Sequence, residues 1–255
     1  MTESVRFDRA VDYYDSTRGL SEGAVGAVSD LLVAELRGRE PVLEIGVGTG
    51  LIALPLAERG VRMAGVDISQ PMLRKLLEKS RDPFPVAVAD ATRLPFADGS
   101  FGGAIARHVF HLIRNWEGAV AELARVVRPG GIVLVHPGDL TPIRWAAVDR
   151  FLEVAGGRPF AIGLDPRDTE ALDRAMSRHG ATGRALKSIP ERLDDTVASF
   201  LDQMEVGYHS WTWDVDEETR RRAAQAARAR VRERYGAPEE LEEPLEIAWR
   251  AYDLP

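Results

Sequence analysis

The stretch Val42-Leu43-Glu44-Ile45-Gly46-Val47-Gly48-Thr49-Gly50 constrains the fold more than any other part of the chain. Val42, Leu43 and Ile45 favour a buried strand. Gly46, Gly48 and Gly50 remove Cβ atoms where the backbone must turn tightly and let a ligand come close. Leu51 to Ala57 then continue a helix that begins at about Thr49, with Pro55 tolerable only near its start. A strand, a glycine loop and a helix in an α/β protein form a site where backbone N–H groups face a nucleotide-like cofactor. The dinucleotide fingerprint is G-x-G-x-x-G, its third glycine easing the packing of helix on strand. Here the spacing is G-x-G-x-G, and Leu51 stands where that third glycine would fall. Glu44, two residues before the first glycine, would repel a dinucleotide pyrophosphate; it can draw a cationic group or organise the loop. A purely structural tight turn is the remaining alternative.

The 255 residues allow one large domain, or one domain with an insertion, and a substantial core. A net charge of −7 argues against a general nucleic-acid partner, though a local basic patch stays open. The absence of cysteine excludes disulfides, thiolate metal sites and cysteine nucleophiles. Met1 to Arg6 carry no apolar signal core, and no run reaches the roughly 20 apolar residues of a membrane-spanning helix. The expectation is a cytoplasmic protein without a membrane partner.

Along the chain, Phe7, Val11 and Tyr14 follow helical spacing. Ser21 caps a helix from about Glu22 to Leu36 whose buried stripe is Val25, Val28, Leu32 and Leu36. A second strand, Val61 to Val66, ends at Asp67, about twenty residues after the glycines, where a doubly wound fold places a ribose-binding carboxylate. Ser69 caps the next helix, which carries Met72, Leu73, Leu76 and Leu77. Phe84 to Ala89 and Gly103 to Ala106 read as strands three and four, and Arg107 to Leu112 as the switch-point loop beside the cofactor. A helix from Asn115 to Val127 is stopped by Arg128-Pro129-Gly130-Gly131, and Ile132 to Val135 is strand five. Beyond it, Pro142 to Ala155 and Arg167 to His179 read as helices, and Thr182 to Ile189 as strand six. Helices over Thr196–Val206 and Asp216–Tyr235 follow, with a final strand over Leu245–Tyr252.

Several of these segments together resemble one family. E-x-G-x-G-x-G at Glu44 to Gly50 is similar to the first motif of class I S-adenosylmethionine (SAM)-dependent methyltransferases. Asp90-Ala91-Thr92-Arg93-Leu94-Pro95-Phe96-Ala97-Asp98-Gly99-Ser100-Phe101 resembles their D-A-x-x-L-P-F-x-D-x-S-F element. Tyr14-Asp15-x-x-Arg18 resembles an N-terminal element that closes over the cofactor, and the helix–R-P-G-G–strand unit is another shared feature. The resemblance covers about Asp12 to Val135 and is similar to the small-molecule, UbiE-like branch. It implies an α/β, Rossmann-like fold: a seven-stranded, mostly parallel sheet with an antiparallel last strand, helices on both faces and a helical cap. Residues 1–190 would be the core with its N-terminal lid segment, 191–240 the cap between strands six and seven, and 241–255 the final strand.

It also implies SAM as cofactor, S-adenosylhomocysteine (SAH) as product, and a cofactor site of Tyr14, Arg18, Glu44, Gly46, Gly48, Gly50, Asp67, Ile68, Met72, Asp90, Ala91 and Arg107. In it Asp90 would accept from the adenine amino group and Ala91 would offer its backbone N–H. Methyl transfer from a sulfonium needs mainly orientation and dryness, and a base only where the acceptor arrives protonated. His111 and then His108 are the candidate bases, with His136 a weaker one at the rim. Tyr14, His111, Tyr208 and Trp211 are the expected acceptor wall. Each of these side chains also has a purely packing role open to it.

No metal-ligand spacing is present, because His108 and His111 lack a nearby third ligand. The arginines from Arg220 to Arg234 spread around their helix, so a solvated face is favoured over a nucleic-acid surface. The expectation is methyl transfer to an O, N or C atom of a small molecule by a monomer or homodimer. A SAM-binding regulatory or silent module, and an NAD-dependent oxidoreductase, are the alternatives.

Overall fold

A strand buried on both faces reads as an unbroken apolar run rather than an alternating one. Val42–Ile45 (β1) is buried at all four residues, and Glu44 alone interrupts its apolar run. The computed structural model describes residues 4–138, 140–156, 159–192 and 196–255, apart from the side chains of Arg18 and Arg192. β1 lies near the middle of a seven-stranded sheet. With Met63–Asp67 (β2), Val86–Val88 (β3), Phe101–Arg107 (β4), Val127–His136 (β5), Thr182–Ala185 (β6), Ile189–Arg192 (β7), Pro244–Ile247 (β8) and Arg250–Asp253 (β9), the sheet order is β3-β2-β1-β4-β5-β9-β6. β1 to β5 are mutually parallel, and β9 inserts antiparallel to both β5 and β6.

Alternate residues of the sheet feed two cores. Leu43, Ala104, Ala106, Val133 and Val135 pack with Trp116–Val126 (now α5) and Thr169–Ser177 (α7) on one face. Val42, Ile105, Ile132 and Leu134 pack on the other with Glu22–Leu36 (α2), Ala53–Glu58 (α3) and Gln70–Lys79 (α4). Tyr14–Arg18 (α1) is a single short helix, and the preceding Asp8–Ala10 is a 3-10 turn. Ser21 and Ser69 cap α2 and α4 through the N–H groups of Ala24 and Met72. The helix after the glycine loop begins later than its sequence suggests, at Ala53, because the loop itself runs on through Gly50.

Pro142–Ala155 (α6), Val197–Val206 (α8) and Glu217–Tyr235 (α9) share a third core, built on Phe151, Phe200, Leu201, Met204 and Trp211. Ala223, Ala227 and Val231 form the buried stripe of α9, which runs along α6. α6 thus packs with α8 and α9, although it precedes β6 in the chain.

Two expected strands are each divided. Thr182–Ile189 becomes β6 and β7, and Leu245–Tyr252 becomes β8 and β9. β7 and β8 pair with each other as a separate two-stranded ribbon. The chain must leave that ribbon at Ala248-Trp249 to enter the main sheet, and the Trp249 ring is buried at the crossing. Arg128 to Gly131 lie within β5 as an irregularity: four residues stand opposite Gly102 alone.

Candidate active site

The carboxyl ends of β1 to β4 surround a cavity of about 840 Å3. After Ile45 the chain turns through Gly46 and Gly48, at φ of 63° and 53°, a region that L side chains enter only with strain. A Cβ on Gly46 would lie 2.7 Å from Val109 Cγ2. One on Gly48 would meet no heavy atom closer than 3.9 Å, and Gly48 lines the cavity. Gly50, at φ 86°, lines no cavity; its missing Cβ makes room for Leu54 and Leu76, so its work is packing.

Asp67 ends β2 within this cavity. Its Oδ2 accepts the Gly48 N–H at 2.9 Å and its Oδ1 the Ser69 N–H at 2.8 Å. Burial raises the pKa of this carboxyl, against the pull of those two N–H groups. Ile68, Met72, Asp90 and Ala91 complete that side. Asp90 Oδ1 accepts from both the N–H and the hydroxyl of Thr92, at 2.9 and 2.8 Å, which fixes the carboxylate at the cavity edge.

Glu44 does not line the cavity. It is buried on the other side of β1, beside Ala53 at the start of α3 and within the field of Arg107. Burial pushes its pKa from 4.5 up to about 8, and Oε2 has no hydrogen-bond partner among the described residues. Glu44 thus stands behind the glycine loop and away from the cavity lining.

An N-terminal strap crosses the cavity. Val5 N–H donates to Leu112 O at 2.9 Å, Ser4 bridges Ile113, and Ser4, Val5, Phe7 and Tyr14 line the space beneath. Asp15 fastens the strap to the glycine loop, accepting from the Thr49 hydroxyl at 2.5 Å and from Lys79 at 2.9 Å. Arg18 ends α1, and its side chain lies outside the described residues.

A second cavity of about 960 Å3 adjoins the first, and Phe7, Arg107, His108 and His111 line both. Its remaining walls include residues of α6, α8 and the 3-10 turn Ser210–Thr212, together with the end of α1 and the loop at Phe160. The His111 ring stacks on Phe160 at 5.7 Å and lies within the electrostatic reach of Asp165. His108 is the one non-glycine residue at positive φ among the described residues (51°), and its ring leans on His136 at 4.8 Å. His136 lines neither cavity; its Nδ1 faces the Ala248 carbonyl at 2.8 Å.

Trp211 lines the second cavity. Tyr208 lines neither, because its ring stacks on Tyr13 of the strap at 4.4 Å. Sequence reasoning missed Phe7, Trp145, Phe160, Gln203 and His209. The one readable hint was Arg144-Trp145, an arginine beside a large ring in the first turn of α6. No group of three or more His, Cys, Asp or Glu that could hold a metal occurs among the described residues. No helix among them is long and apolar enough to cross a membrane.

A Rossmann-like sheet with a glycine turn and two acidic strand ends around one cavity defines a nucleoside-cofactor enzyme scaffold. Residues 43–135 match the family model "Methyltransferase domain". The chain is 35% identical over 202 residues to the malonyl-[acyl-carrier protein] O-methyltransferase of Pseudescherichia vulneris, covering 72% of this chain and 76% of that one. It is 30% identical over 138 residues to the demethylmenaquinone methyltransferase of Streptomyces avermitilis, covering 51% of this chain and 59% of that one. It spans only 30% of the biotin biosynthesis bifunctional protein BioHC of Cellvibrio japonicus, at 33% identity. In fold it is similar to the YcgJ protein from Bacillus subtilis, with a TM-score of 0.61 at 20% identity over 91% of this chain and 99% of that one. The chain belongs to the class I SAM-dependent methyltransferases.

Proposed function

We propose that this chain transfers a methyl group from SAM to an O, N or C atom of a small-molecule acceptor. The observation that carries the reading is the pair of cavities meeting at Phe7, Arg107, His108 and His111. A cofactor bound in one cavity faces an acceptor bound in the other across a single shared wall.

The residues present fit SAM. Gly48 leaves open the space that a side chain would fill. Asp67, already oriented by Gly48 and Ser69, has lone pairs left for ribose hydroxyls. Asp90 and Ala91 face the adenine end, with Ile68 and Met72 packing the base. SAM supplies an electrophilic methyl on a sulfonium, which is itself a good leaving group. The protein's part is therefore to align the acceptor and keep water out. His111, which lines both cavities, would take a proton from an acceptor that arrives protonated. His108 is the second candidate for that role.

In the same reading, residues 191–240 together with α6 form a cap over the acceptor, and residues 1–190 and 241–255 form the remainder of the enzyme. The reading is that of a cytoplasmic monomer or homodimer acting without a nucleic-acid or membrane partner. The relatives named above carry acceptors as different as an acyl-carrier-protein-bound malonyl group and demethylmenaquinone.

Calorimetry with SAM, SAH and NAD, followed by SAH release across an acceptor library, tests the proposal. SAM and SAH should bind and NAD should not. Trp211→Ala should lower acceptor turnover at least tenfold while SAH affinity changes by less than threefold. Binding of NAD in place of SAM would refute the reading. SAM binding without turnover on any acceptor would leave a silent SAM-binding module.

A further inference from the structure

The second cavity combines two features that restrict what it can hold. Its wall is built of rings. Phe160 lies 4.7 Å from Trp145 and 6.1 Å from Trp211, and His209 stacks on Trp211 at 5.0 Å and meets Phe200 edge-on at 4.9 Å. Such a wall favours a flat, polarisable occupant.

Its charge is one-sided. No carboxylate occurs among the described residues that line it, whereas Arg107 and Arg144 both do. Asp139, between two lining residues, lies outside the described residues. Arg144 is already paired: its Nε donates to Glu243 at 2.7 Å and its guanidinium lies over Phe200. Arg107 is not matched in that way. It is 8% exposed, and its Nε is buried without a hydrogen-bond partner among the described residues. Glu44 is a carboxyl within its field, and burial raises the pKa of that group, which weakens it as a counter-charge.

An aromatic cage alone would equally suit a cation. A buried guanidinium in the same cavity reverses that preference, because a second positive charge there would be desolvated and repelled. Gln203, on α8, adds a second polar demand: its Oε1 is buried without a partner, so a polar substituent on the ligand is needed whichever way the amide is turned.

We infer that the acceptor is a planar aromatic acid: its rings lie against Trp145, Phe160 and Trp211, its acidic group is held by Arg107, and a polar ring substituent meets Gln203. This rests on the methyl-transfer reading and specifies its substrate class. Arg107 is then a specificity-determining residue for the acceptor, although it also borders the cofactor cavity.

The test is calorimetric titration of the SAH-saturated full chain with 1-hydroxy-2-naphthoate, its carboxamide, and the aliphatic acid decanoate. The naphthoate should bind at least tenfold more tightly than either comparator. Arg107→Met should erase the preference for acid over amide, and Arg107→Lys should keep part of the preference. Equal binding of acid and amide, no binding of the acid, or tighter binding of decanoate overturns the inference; these comparisons use the wild-type chain and do not depend on a variant folding. Loss of SAH binding in a folded Arg107→Met would assign the guanidinium to the cofactor and overturn it as well. Failure of the wild type to bind SAH would sink the methyl-transfer reading itself, and this inference with it.

Discussion

Asp67 and Glu44 sit on neighbouring strands, and burial raises the pKa of both, yet their surroundings give them opposite work. Asp67 is held by two backbone N–H groups and opens onto the cofactor cavity. Asp67→Ala should weaken SAH binding by roughly 1.5–3 kcal/mol, the scale of hydrogen bonds to a charged group. Calorimetry on the folded variant checks this, and an unchanged affinity refutes the ribose assignment. Glu44 acts on the fold. Its pKa in the folded chain, about 8, lies above its ordinary 4.5, so across that window the folded protein keeps a proton that the unfolded chain has released. Its contribution to stability is therefore full at the acid end and is lost as pH rises toward 8. Glu44→Gln should flatten this fall, a difference on the order of a few kcal/mol, in denaturant titrations run between pH 5 and 8. Parallel wild-type and variant curves would contradict it.

At the scale of elements, the glycine turn separates binding from packing within three residues. On the proposed function, Gly48→Val places a side chain in the space for the cofactor and should abolish SAH binding, while stability falls only by the strain of a positive φ, roughly 1–2 kcal/mol. Gly50→Ala brings a methyl to 2.8 Å from Leu54 Cγ, so its main effect should be on stability. If thermal melts and calorimetry gave the reverse ranking, the division would fail. The turn, Asp67 and the Asp90 segment were readable in sequence because each is a short local pattern at the end of a strand. The acceptor cavity was not, because α6, α8 and the strap reach it from far apart in the chain, and nothing local in Phe7, Phe160 or Gln203 announces a wall. Tyr208 was misplaced for a related reason: the pattern marked an aromatic cluster but not which ring would turn outward to Tyr13. The split of the last strand escaped notice because Leu245, Ile247, Trp249 and Ala251 are all buried, so the alternation continues across the break.

Across the whole molecule, the strap is fastened on two sides. It is tied to the loop at Ile113, the glycine turn at Thr49 and the end of α4 at Lys79, and to the 191–240 segment by Tyr13 on Tyr208 and by Phe7 on Trp213 at 5.1 Å. The cover of one cavity is thus clamped by the lid of the other. On the proposed function, an occupant that settled the 191–240 segment over the second cavity would also pin the strap, and a cofactor beneath it would have no exit until that segment lifted. The kinetic consequence is a compulsory sequence, with SAM first on and SAH last off. A non-reactive acceptor analogue should then inhibit uncompetitively against SAM. Tyr208→Ala, which cuts one of the two ring clamps, should relax that pattern to noncompetitive. A noncompetitive pattern already present in the wild type would mean that the two doors open independently.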